Sequence, residues 1–213
     1  MAKFINTIEP IQIIILLSGH GSTLQAFIDA INKKTLHAKI LAVISDKADA
    51  YGLQRATFAG VKTHVLLKEN YAKQASYDIA LADLIKSYNP DLVILAGFMR
   101  VLSPAFVLQF YDRLINIHPS LLPDYKGINT HQRVLADGKK QHGTTVHFVI
   151  PELDSGPIIA QEYLTVLPTD TLDSLKARVQ EIEHQLYPRV VQLFAEKRVK
   201  LTTEGVVIDG KIV

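Results

Sequence analysis

The chain has 213 residues, of which 48% are hydrophobic and 21% are charged, a composition typical of a folded globular protein. Its 23 basic and 21 acidic residues give a net charge of +2, which lacks the strongly basic balance of a protein that binds nucleic acid. Because cysteine is absent, disulfides, thiolate catalysis and cysteine-ligated metals are excluded. We therefore expect small-molecule partners and no nucleic acid.

The ends and the apolar runs of the chain bear on its location. The longest apolar runs, such as 13–17 and 92–96, are much shorter than the roughly 20 residues of a transmembrane helix. The first ten residues, MAKFINTIEP, lack the architecture of a signal peptide. We predict a cytoplasmic protein without membrane contact, folded as a single domain over residues 1–213.

Apolar runs alternate with amphipathic runs through the first half of the chain. The nearly continuous apolar run at 11–18 is typical of a strand buried on both faces, and helical spacing follows at 21–34. The same alternation predicts the remaining elements of this half, which are strands at 38–45, 63–67 and 91–97 and helices at 51–60 and 71–89. This order predicts a Rossmann-like, mononucleotide-binding parallel sheet over about residues 1–110.

The pattern changes in the second half, about residues 111–213. Predicted strands at 113–118, 144–150 and 157–166 follow one another through loops, without a helix each time. The parallel sheet is therefore predicted to continue as a mixed sheet. A long helix over about 170–197 and short strands at 199–202 and 206–213 close the chain. The predicted fold class is α/β.

A glycine-containing loop, LLSGHGSTL (16–24), lies between the first predicted strand and its helix, where open α/β sheets bind ligands. The N–H groups of Ser22, Thr23 and Leu24 at the helix start could bind an anion. Leu24 replaces the third glycine of a dinucleotide motif, and no Gly-Lys-Ser/Thr sequence follows, so a single phosphate fits better than a pyrophosphate. A plain helix cap explains the same residues equally well.

Asn116 and His118 lie two residues apart on a predicted strand, so their side chains leave the same face. Pro119 disfavours a helical conformation at His118 and holds it extended. A carboxamide can donate to an oxyanion, and an imidazole exchanges protons near neutral pH. Because the chain has neither cysteine nor a Gly-x-Ser-x-Gly elbow, direct transfer of a group to a substrate amine is favoured over an acyl-enzyme.

Asp154, in the proline-bracketed loop PELDSGP (151–157), is the candidate partner of His118, since a nearby carboxylate would stabilise the cationic imidazole. Ordinary explanations stay open, because His118 could be a structural histidine and Asp154 a turn former. The spacing does not establish that the two meet. Further histidines at 131, 142 and 147 could suggest a metal site, but without cysteine or an HExxH helix we expect no metal.

Six segments of the chain, in this order, together resemble the phosphoribosylglycinamide formyltransferases, folate-dependent enzymes of purine synthesis. They are SGHGSTLQA (18–26), SDKADAYGLQRA (45–56), LAGFMRVLSPAFV (95–107), NIHPSLLP (116–123), HGTTVHFV (142–149) and ELDSGPII (152–159). The resemblance extends over about residues 11–200. The segment 116–123 alone is typical only of the wider formyltransferase superfamily.

The resemblance implies a formyltransferase fold and transfer of the formyl group of 10-formyltetrahydrofolate, a co-substrate, to the amine of phosphoribosylglycinamide. The products would be formylglycinamide ribonucleotide and tetrahydrofolate. Asn116, His118 and Asp154 match the catalytic residues of the family. By this likeness, cationic His118 and the Asn116 amide stabilise the oxyanion of a tetrahedral intermediate, Asp154 orients the imidazole, and a water relays protons.

The resemblance also implies binding residues. Substrate contacts fall on the glycine loop, on one turn and on two helical positions: Gly21, Ser22, Thr23, Leu24, Gly127, Gln180 and Glu183. Folate contacts fall on two segments and on two of the catalytic residues: Met99, Arg100, Val101, Leu102, Leu153, Asn116 and Asp154. His147 matches a site histidine whose role stays open. A monomer or a homodimer is expected.

The chain departs from the family at three of these places. Thr23 replaces the usual asparagine, although its hydroxyl could still cap the helix. Gln74 stands where an arginine commonly meets the glutamate end of folate, which could weaken that contact. Asn129 replaces a histidine found in some relatives.

Three other functions are alternatives to formyl transfer to phosphoribosylglycinamide. A methionyl-tRNA formyltransferase would need an additional C-terminal domain that binds tRNA and a more basic surface. A formyltetrahydrofolate hydrolase would carry an N-terminal regulatory domain. A non-catalytic nucleotide-binding protein would use the glycine loop alone and would not need Asn116, His118 and Asp154 together.

Overall fold

A computed structural model describes residues 9–213. Residues 1–8 lie outside the described residues. They include the start of the predicted domain and most of the ten residues in which no signal peptide was predicted. The strands are β1 (Ile11–Leu17), β2 (Ala38–Ser45), β3 (Thr63–Val65), β4 (Leu92–Leu95), β5 (Leu114–His118), β6 (Gln141–Phe148), β7 (Ile158–Thr165), β8 (Val199–Thr202), β9 (Gly205–Ile208) and β10 (Lys211–Ile212). The α-helices are α1 (Ser22–Asn32), α2 (Tyr51–Phe58), α3 (Gln74–Ser87), α4 (Pro104–Val107), α5 (Thr130–Ala136) and α6 (Leu172–Ala195).

Seven of the strands form one sheet in the order β3-β2-β1-β4-β5-β6-β7. Neighbouring strands from β3 to β5 are parallel to each other. Strand β6 pairs antiparallel with β5, and β7 pairs antiparallel with β6. The predicted α/β class, with a parallel sheet that becomes mixed, is confirmed. The strand order reverses between β1 and β4, and ligands of open α/β sheets bind at such a switch point. The glycine loop follows β1 directly.

Three elements differ from their predictions. Helix α5 occupies part of a stretch predicted as loop, because its seven residues are too few to give a clear helical period. The predicted strand at 206–213 is divided into β9 and β10 by a turn at Asp209 and Gly210, which both have positive φ. Helix α3 begins at Gln74 rather than residue 71, because the backbone is extended at Tyr71 and Lys73, after a 3-10 helix at Lys68–Asn70.

The large sheet is covered on both faces, as the continuous apolar character of β1 predicts. Ile13, Ile15 and Leu17 pack with residues of α1 and α6 on one face. Ile14 and Leu16 pack with residues of α3 and α4 on the other face. Within residues 9–213, no helix combines the length and the apolarity needed to cross a bilayer.

Helix α6 is attached to the centre of the sheet by a buried tyrosine. The Tyr187 hydroxyl lies 3.1 Å from the carbonyl oxygen of Leu95 and 3.0 Å from that of Ile115. These two carbonyls belong to β4 and β5, so the hydroxyl contacts both strands close to the site edge. Tyr187 is fully buried, so bulk water cannot take over these hydrogen bonds if the hydroxyl is removed.

We predict that Tyr187→Phe lowers the free energy of unfolding by about 1–2 kcal/mol, because the buried carbonyl oxygens of Leu95 and Ile115 lose the one hydroxyl hydrogen that they share. Urea denaturation followed by circular dichroism measures this change. Tyr163→Phe is the matched control, since the Tyr163 side chain is 66% exposed, and it should change stability by less than about 0.5 kcal/mol. Equal stability of the Tyr187→Phe variant and the wild type would show that the Tyr187 hydroxyl does not hold α6 against the sheet.

Candidate active site

Strand β5 ends at the residues predicted to carry the chemistry. Ile115 and Ile117 pack into the core on the α1 and α6 side, whereas Leu114 packs on the α3 and α4 side. Asn116 and His118 therefore leave the face that Leu114 shares, as their spacing predicts. His118 is 5% exposed, so its ring is held inside the site rather than in solvent.

The His118 imidazole has an acceptor at each nitrogen. Its Nε2 lies 2.9 Å from the carbonyl oxygen of Tyr125, and its Nδ1 lies 3.4 Å from Oδ2 of Asp154. Nε2–H donates to the carbonyl, which leaves Nδ1 as the nitrogen that faces the carboxylate. The predicted meeting of His118 and Asp154 is thus observed. Tyr125 was missed, since a backbone carbonyl leaves no signal in the sequence.

The Asp154 carboxylate is fixed by the loop that carries it. Its Oδ2 accepts a hydrogen bond of 2.8 Å from the N–H of Gly127, another predicted site residue. Asp154 itself has φ 47°, in the left-handed region that few non-glycine residues adopt. A Cβ at Gly156 would lie 1.8 Å from the carbonyl oxygen of Phe148, so only glycine lets the loop approach β6 this closely.

His147 orients the Asn116 carboxamide, a role that the sequence left open. The two residues are paired across β5 and β6, and Asn116 Nδ2 lies 3.3 Å from His147 Nε2. His147 Nδ1 donates to the Phe148 carbonyl at 2.8 Å, and burial lowers the pKa of His147. The neutral ring therefore accepts at Nε2 from the amide. The second amide hydrogen of Asn116 stays available to a ligand.

A cleft of about 690 Å³ contains these catalytic candidates and the predicted folate residues together. Its apolar wall includes exposed side chains of Met99, Val101 and Leu153, at 73%, 72% and 56% exposure. The other predicted cleft residues that line it are Arg100, Leu102, Asn116, His118, Gly127 and Asp154. Ile128 and Leu172, also exposed at this cleft, were not predicted because isolated apolar residues carry no motif.

The segment 99–102 is held by buried polar contacts with α3. The Arg100 guanidinium packs 4.8 Å from the Tyr77 ring and donates to Gln74 Oε1 at 3.2 Å. Gln74 donates in turn to Asp78 Oδ1 at 2.7 Å, and Asp78 Oδ2 accepts from the Ser103 N–H at 3.0 Å. Gln74 therefore links the segment 99–102 to α3, through Arg100 and Asp78.

Ser18 joins the glycine loop to the loop that follows β4. Its N–H donates to the Gly97 carbonyl at 3.0 Å, and its hydroxyl accepts from the Met99 N–H at 2.8 Å. Because the two loops follow neighbouring parallel strands, one side chain can reach both of them. The two predicted binding regions are in this way fixed relative to each other.

The predicted phosphate-binding residues form a second group, outside the cleft lining. Gly21, with φ 71°, precedes α1, and no side chain caps this helix, so the predicted cap by Thr23 is wrong. Gln180 donates from α6 to Ser22 Oγ at 3.2 Å, which brings two predicted contacts together. The Leu24 side chain is fully buried, so only its backbone N–H can serve a ligand.

Glu183 is connected to strand β5 through Thr144, a residue that sequence reasoning missed. The Thr144 hydroxyl lies 2.9 Å from the carbonyl oxygen of His118 and 3.4 Å from Oε1 of Glu183. Burial raises the pKa of Glu183 from its ordinary value of 4.5 to about 7, against the opposing effect of the Thr144 hydrogen bond. A signal did exist, since polar residues such as Thr144 are unusual in a buried strand.

Comparison with known proteins identifies the family. The formyl transferase family model matches residues 11–191. Phosphoribosylglycinamide formyltransferase of Escherichia coli is 48% identical over 93% of this chain and 94% of its own length. A structure of phosphoribosylglycinamide formyltransferase from Coxiella burnetii has a TM-score of 0.92 at 48% identity, over 95% of both chains. The chain belongs to the phosphoribosylglycinamide formyltransferases.

Membership makes the chain a transferase, a formyltransferase of purine biosynthesis. A glycinamide ribonucleotide transformylase structure from Symbiobacterium toebii, with a TM-score of 0.90 and 41% identity, supports the same fold. The bovine trifunctional purine biosynthetic protein adenosine-3 is 42% identical over 91% of this chain, which covers 19% of that protein. The same enzyme family therefore also occurs as one part of a larger polypeptide.

Two further histidines of the formyltransferase form a pair beside the cleft. His131 Nδ1 and His142 Nε2 lie 2.9 Å apart, and burial lowers the pKa of both, for His142 to about 4. Two neutral rings share one hydrogen bond in this geometry. Among residues 9–213, no group of three or more histidine, aspartate and glutamate side chains is arranged to hold a metal ion.

The raised pKa of Glu183 predicts a dependence of stability on pH. Below about pH 4.5 the carboxyl is protonated in both the folded and the unfolded state. As pH rises from about 4.5 to about 7 it ionises in the unfolded state first, so the folded state is progressively disfavoured, and above about pH 7 this penalty is constant. Glu183→Gln should therefore stabilise the enzyme at pH 8 by about 1–3 kcal/mol, with a smaller gain at pH 5. Urea unfolding at the two pH values measures the difference.

Glu181→Gln serves as the control for this experiment, because Glu181 is an exposed residue of the same helix. Its stability should follow that of the wild type at both pH values. A Glu183→Gln variant that is destabilised at pH 8 would contradict a desolvated Glu183 carboxyl with a raised pKa.

Proposed function

We propose that this enzyme takes its formyl group from 10-formyltetrahydrofolate and transfers it directly to the amine of phosphoribosylglycinamide, without a covalent enzyme intermediate. The observation that supports this most is the contact of His118 Nδ1 with Asp154 Oδ2 at 3.4 Å, inside the cleft lined by the segment 99–102. Binding alone would not require a buried imidazole and a buried carboxylate in contact, whereas proton transfer does.

The cleft suits a folate. Its volume of about 690 Å³ is within the usual range for small-molecule sites, and its wall combines apolar side chains with few polar groups. Met99, Val101 and Leu153 offer apolar surface to a pteridine and its linker. In this proposal the ring also hydrogen-bonds the backbone of 100–102. In this proposal the donor's formyl group reaches Asn116 and His118 at the inner end.

The proposed reaction proceeds through a tetrahedral intermediate. The neutral amine attacks the formyl carbon, and the formyl oxygen becomes an oxyanion. This oxyanion accepts a hydrogen bond from the second amide hydrogen of Asn116, and the positive charge of the His118 imidazolium stabilises it. Asp154 stabilises the imidazolium cation. A water transfers the proton of the amine to the leaving folate nitrogen, the C–N bond to folate breaks, and tetrahydrofolate is released.

The acceptor is proposed to bind with its phosphate on the glycine loop. The backbone N–H groups of Ser22, Thr23 and Leu24 are at the start of α1, where anions are stabilised. Gln180, held against Ser22, contacts the ribose, and the Glu183 carboxylate binds the amine. Gly127, hydrogen-bonded to Asp154, contacts the same substrate.

The two halves of the chain are proposed to act as one domain, since each half supplies part of the site. Residues 21–24 and 99–102 come from the first half, whereas Asn116, His118 and Asp154 come from the second half. The monomeric or homodimeric state and the absence of a metal requirement stay predictions.

The proposed function predicts that purified protein releases tetrahydrofolate from 10-formyltetrahydrofolate only when phosphoribosylglycinamide is present. Absorbance during mixing, with and without the ribonucleotide, measures this dependence. Release without the ribonucleotide would instead indicate a hydrolase. Binding of ribonucleotide without any release would indicate a nucleotide-binding protein, and either result would overturn the proposal.

His118→Asn tests the catalytic role directly. We expect kcat to fall by about 10²–10⁴-fold, because asparagine can still donate a hydrogen bond but cannot supply a cation or a proton. The dissociation constants of both substrates, measured by calorimetry, should change by less than about threefold, within the usual error of such comparisons.

His64→Asn is the matched control for this variant, since His64 lies on β3 and hydrogen-bonds Tyr88 at 2.6 Å, away from the cleft lining. Its kcat should equal that of the wild type. Unchanged turnover in the His118→Asn variant would remove His118 from the mechanism.

A further inference from the structure

The glycine loop is supported from behind by the start of α2, and the contact is between two backbones. A Cβ at Gly21 would lie 2.5 Å from Cα of Gly52, and a Cβ at Gly52 would lie 2.6 Å from a methyl group of Leu17. The Gly52 N–H donates to the Gly19 carbonyl at 3.0 Å. The loop and α2 are thus packed at the minimum separation that two glycines permit.

Arg55, one turn further along α2, adds side-chain contacts to this support. Its Nε–H donates to the His20 carbonyl at 3.0 Å, and its Nη1 donates to Gln25 Oε1 at 3.0 Å. Its Nη2 lies 3.3 Å from Nδ1 of His20, and its guanidinium packs 4.9 Å from the Tyr51 ring. One planar group therefore contacts both the loop before Gly21 and the first turns of α1.

These contacts fix the peptide that leads into the proposed phosphate site. The carbonyl of His20 and the N–H of Gly21 belong to one peptide plane, so holding the carbonyl fixes the peptide group from which the chain enters α1. Backbone N–H groups bind an anion well only when they converge without reorganisation on binding. The planar fork of arginine imposes this geometry, whereas a lysine ammonium supplies the same charge without it.

We propose that Arg55 is a positioning residue for the acceptor's phosphate. It holds the loop at His20 and Gln25 so that the N–H groups of Ser22, Thr23 and Leu24 converge on one phosphate group. The inference rests on the proposed function, and it adds a residue outside the site described above. Its consequence is selectivity for a phosphorylated acceptor over the same acceptor without phosphate.

Steady-state kinetics of Arg55→Gln and Arg55→Lys test the proposal. In both variants KM for the ribonucleotide should rise about tenfold or more, the scale of one charge-assisted hydrogen bond. We expect kcat and KM for the formyl donor to stay within about twofold of the wild type, because the cleft is untouched. Recovery of the wild-type KM in Arg55→Lys would show that charge alone matters, and it would overturn the positioning role.

Glycinamide riboside, the acceptor without its phosphate, separates positioning from general damage. With this substrate, kcat/KM of the Arg55 variants should equal that of the wild type, because the phosphate contacts are unused. Equal losses with both acceptors would overturn the proposal. Arg113→Gln is the matched control, since Arg113 also packs on an aromatic ring, 5.6 Å from Phe110, and it should retain all parameters.

Gly52→Ala moves the loop without removing a charge. The added methyl group would lie 3.2 Å from Cα of Gly21 in the loop and 2.6 Å from a methyl group of Leu17. Because it presses on the loop backbone, we expect the same selective rise in KM for the ribonucleotide, checked at matched thermal stability. Unchanged KM in this variant would contradict the supporting role of α2.

The role of Arg55 in phosphate binding can be tested even if the protein does not catalyse the proposed formyl transfer. If the wild type makes no product, binding of ribose 5-phosphate by calorimetry still compares the wild type with Arg55→Gln. Weaker binding in the variant supports the phosphate role of the loop without the transferase reaction, and equal binding overturns it.

Discussion

The contact between His118 and Asp154 is the constraint on which the site depends. His118 ends a strand, whereas Asp154 lies on the loop between two later strands, so the two meet only if β6 and β7 are added to the sheet in antiparallel order. Gly127 and Gly156 complete this arrangement, one by donating to the carboxylate and the other by allowing close approach to β6. In the proposed function the mixed sheet is what brings these two residues together, because a crossover between parallel strands would normally place a helix where this loop lies.

The rest of the molecule fixes the two proposed binding regions relative to this contact. Both regions begin at the strand-order reversal, where the loops after β1 and β4 are neighbours and Ser18 hydrogen-bonds across them. Helix α6 spans both, since Gln180 contacts Ser22 and Glu183 approaches Thr144 beside β5. Tyr187 holds the same helix against β4 and β5. A rigid frame of this kind lowers the cost of ordering two substrates for direct transfer.

Features that depend on side-chain type and on hydrophobic periodicity could be predicted from the sequence. The strands, the change from a parallel to a mixed sheet, and the shared face of Asn116 and His118 all follow from burial patterns and spacing. Backbone contributions were not predictable, because the Tyr125 carbonyl and the Gly127 N–H leave no trace in residue type. Networks between distant segments were missed for a related reason, since the partners of Gln74, Arg55 and His147 depend on tertiary contacts. Helix α5 was too short to give a period.

A double-mutant cycle in kcat tests the central claim, that His118 and Asp154 act as one unit. Formyl transfer is measured for the wild type, His118→Asn, Asp154→Asn and the variant with both substitutions. We expect strong non-additivity, with the double variant no more than about threefold slower than His118→Asn alone, because Asp154 acts through the imidazole. Two independent losses that multiply in the double variant would contradict it.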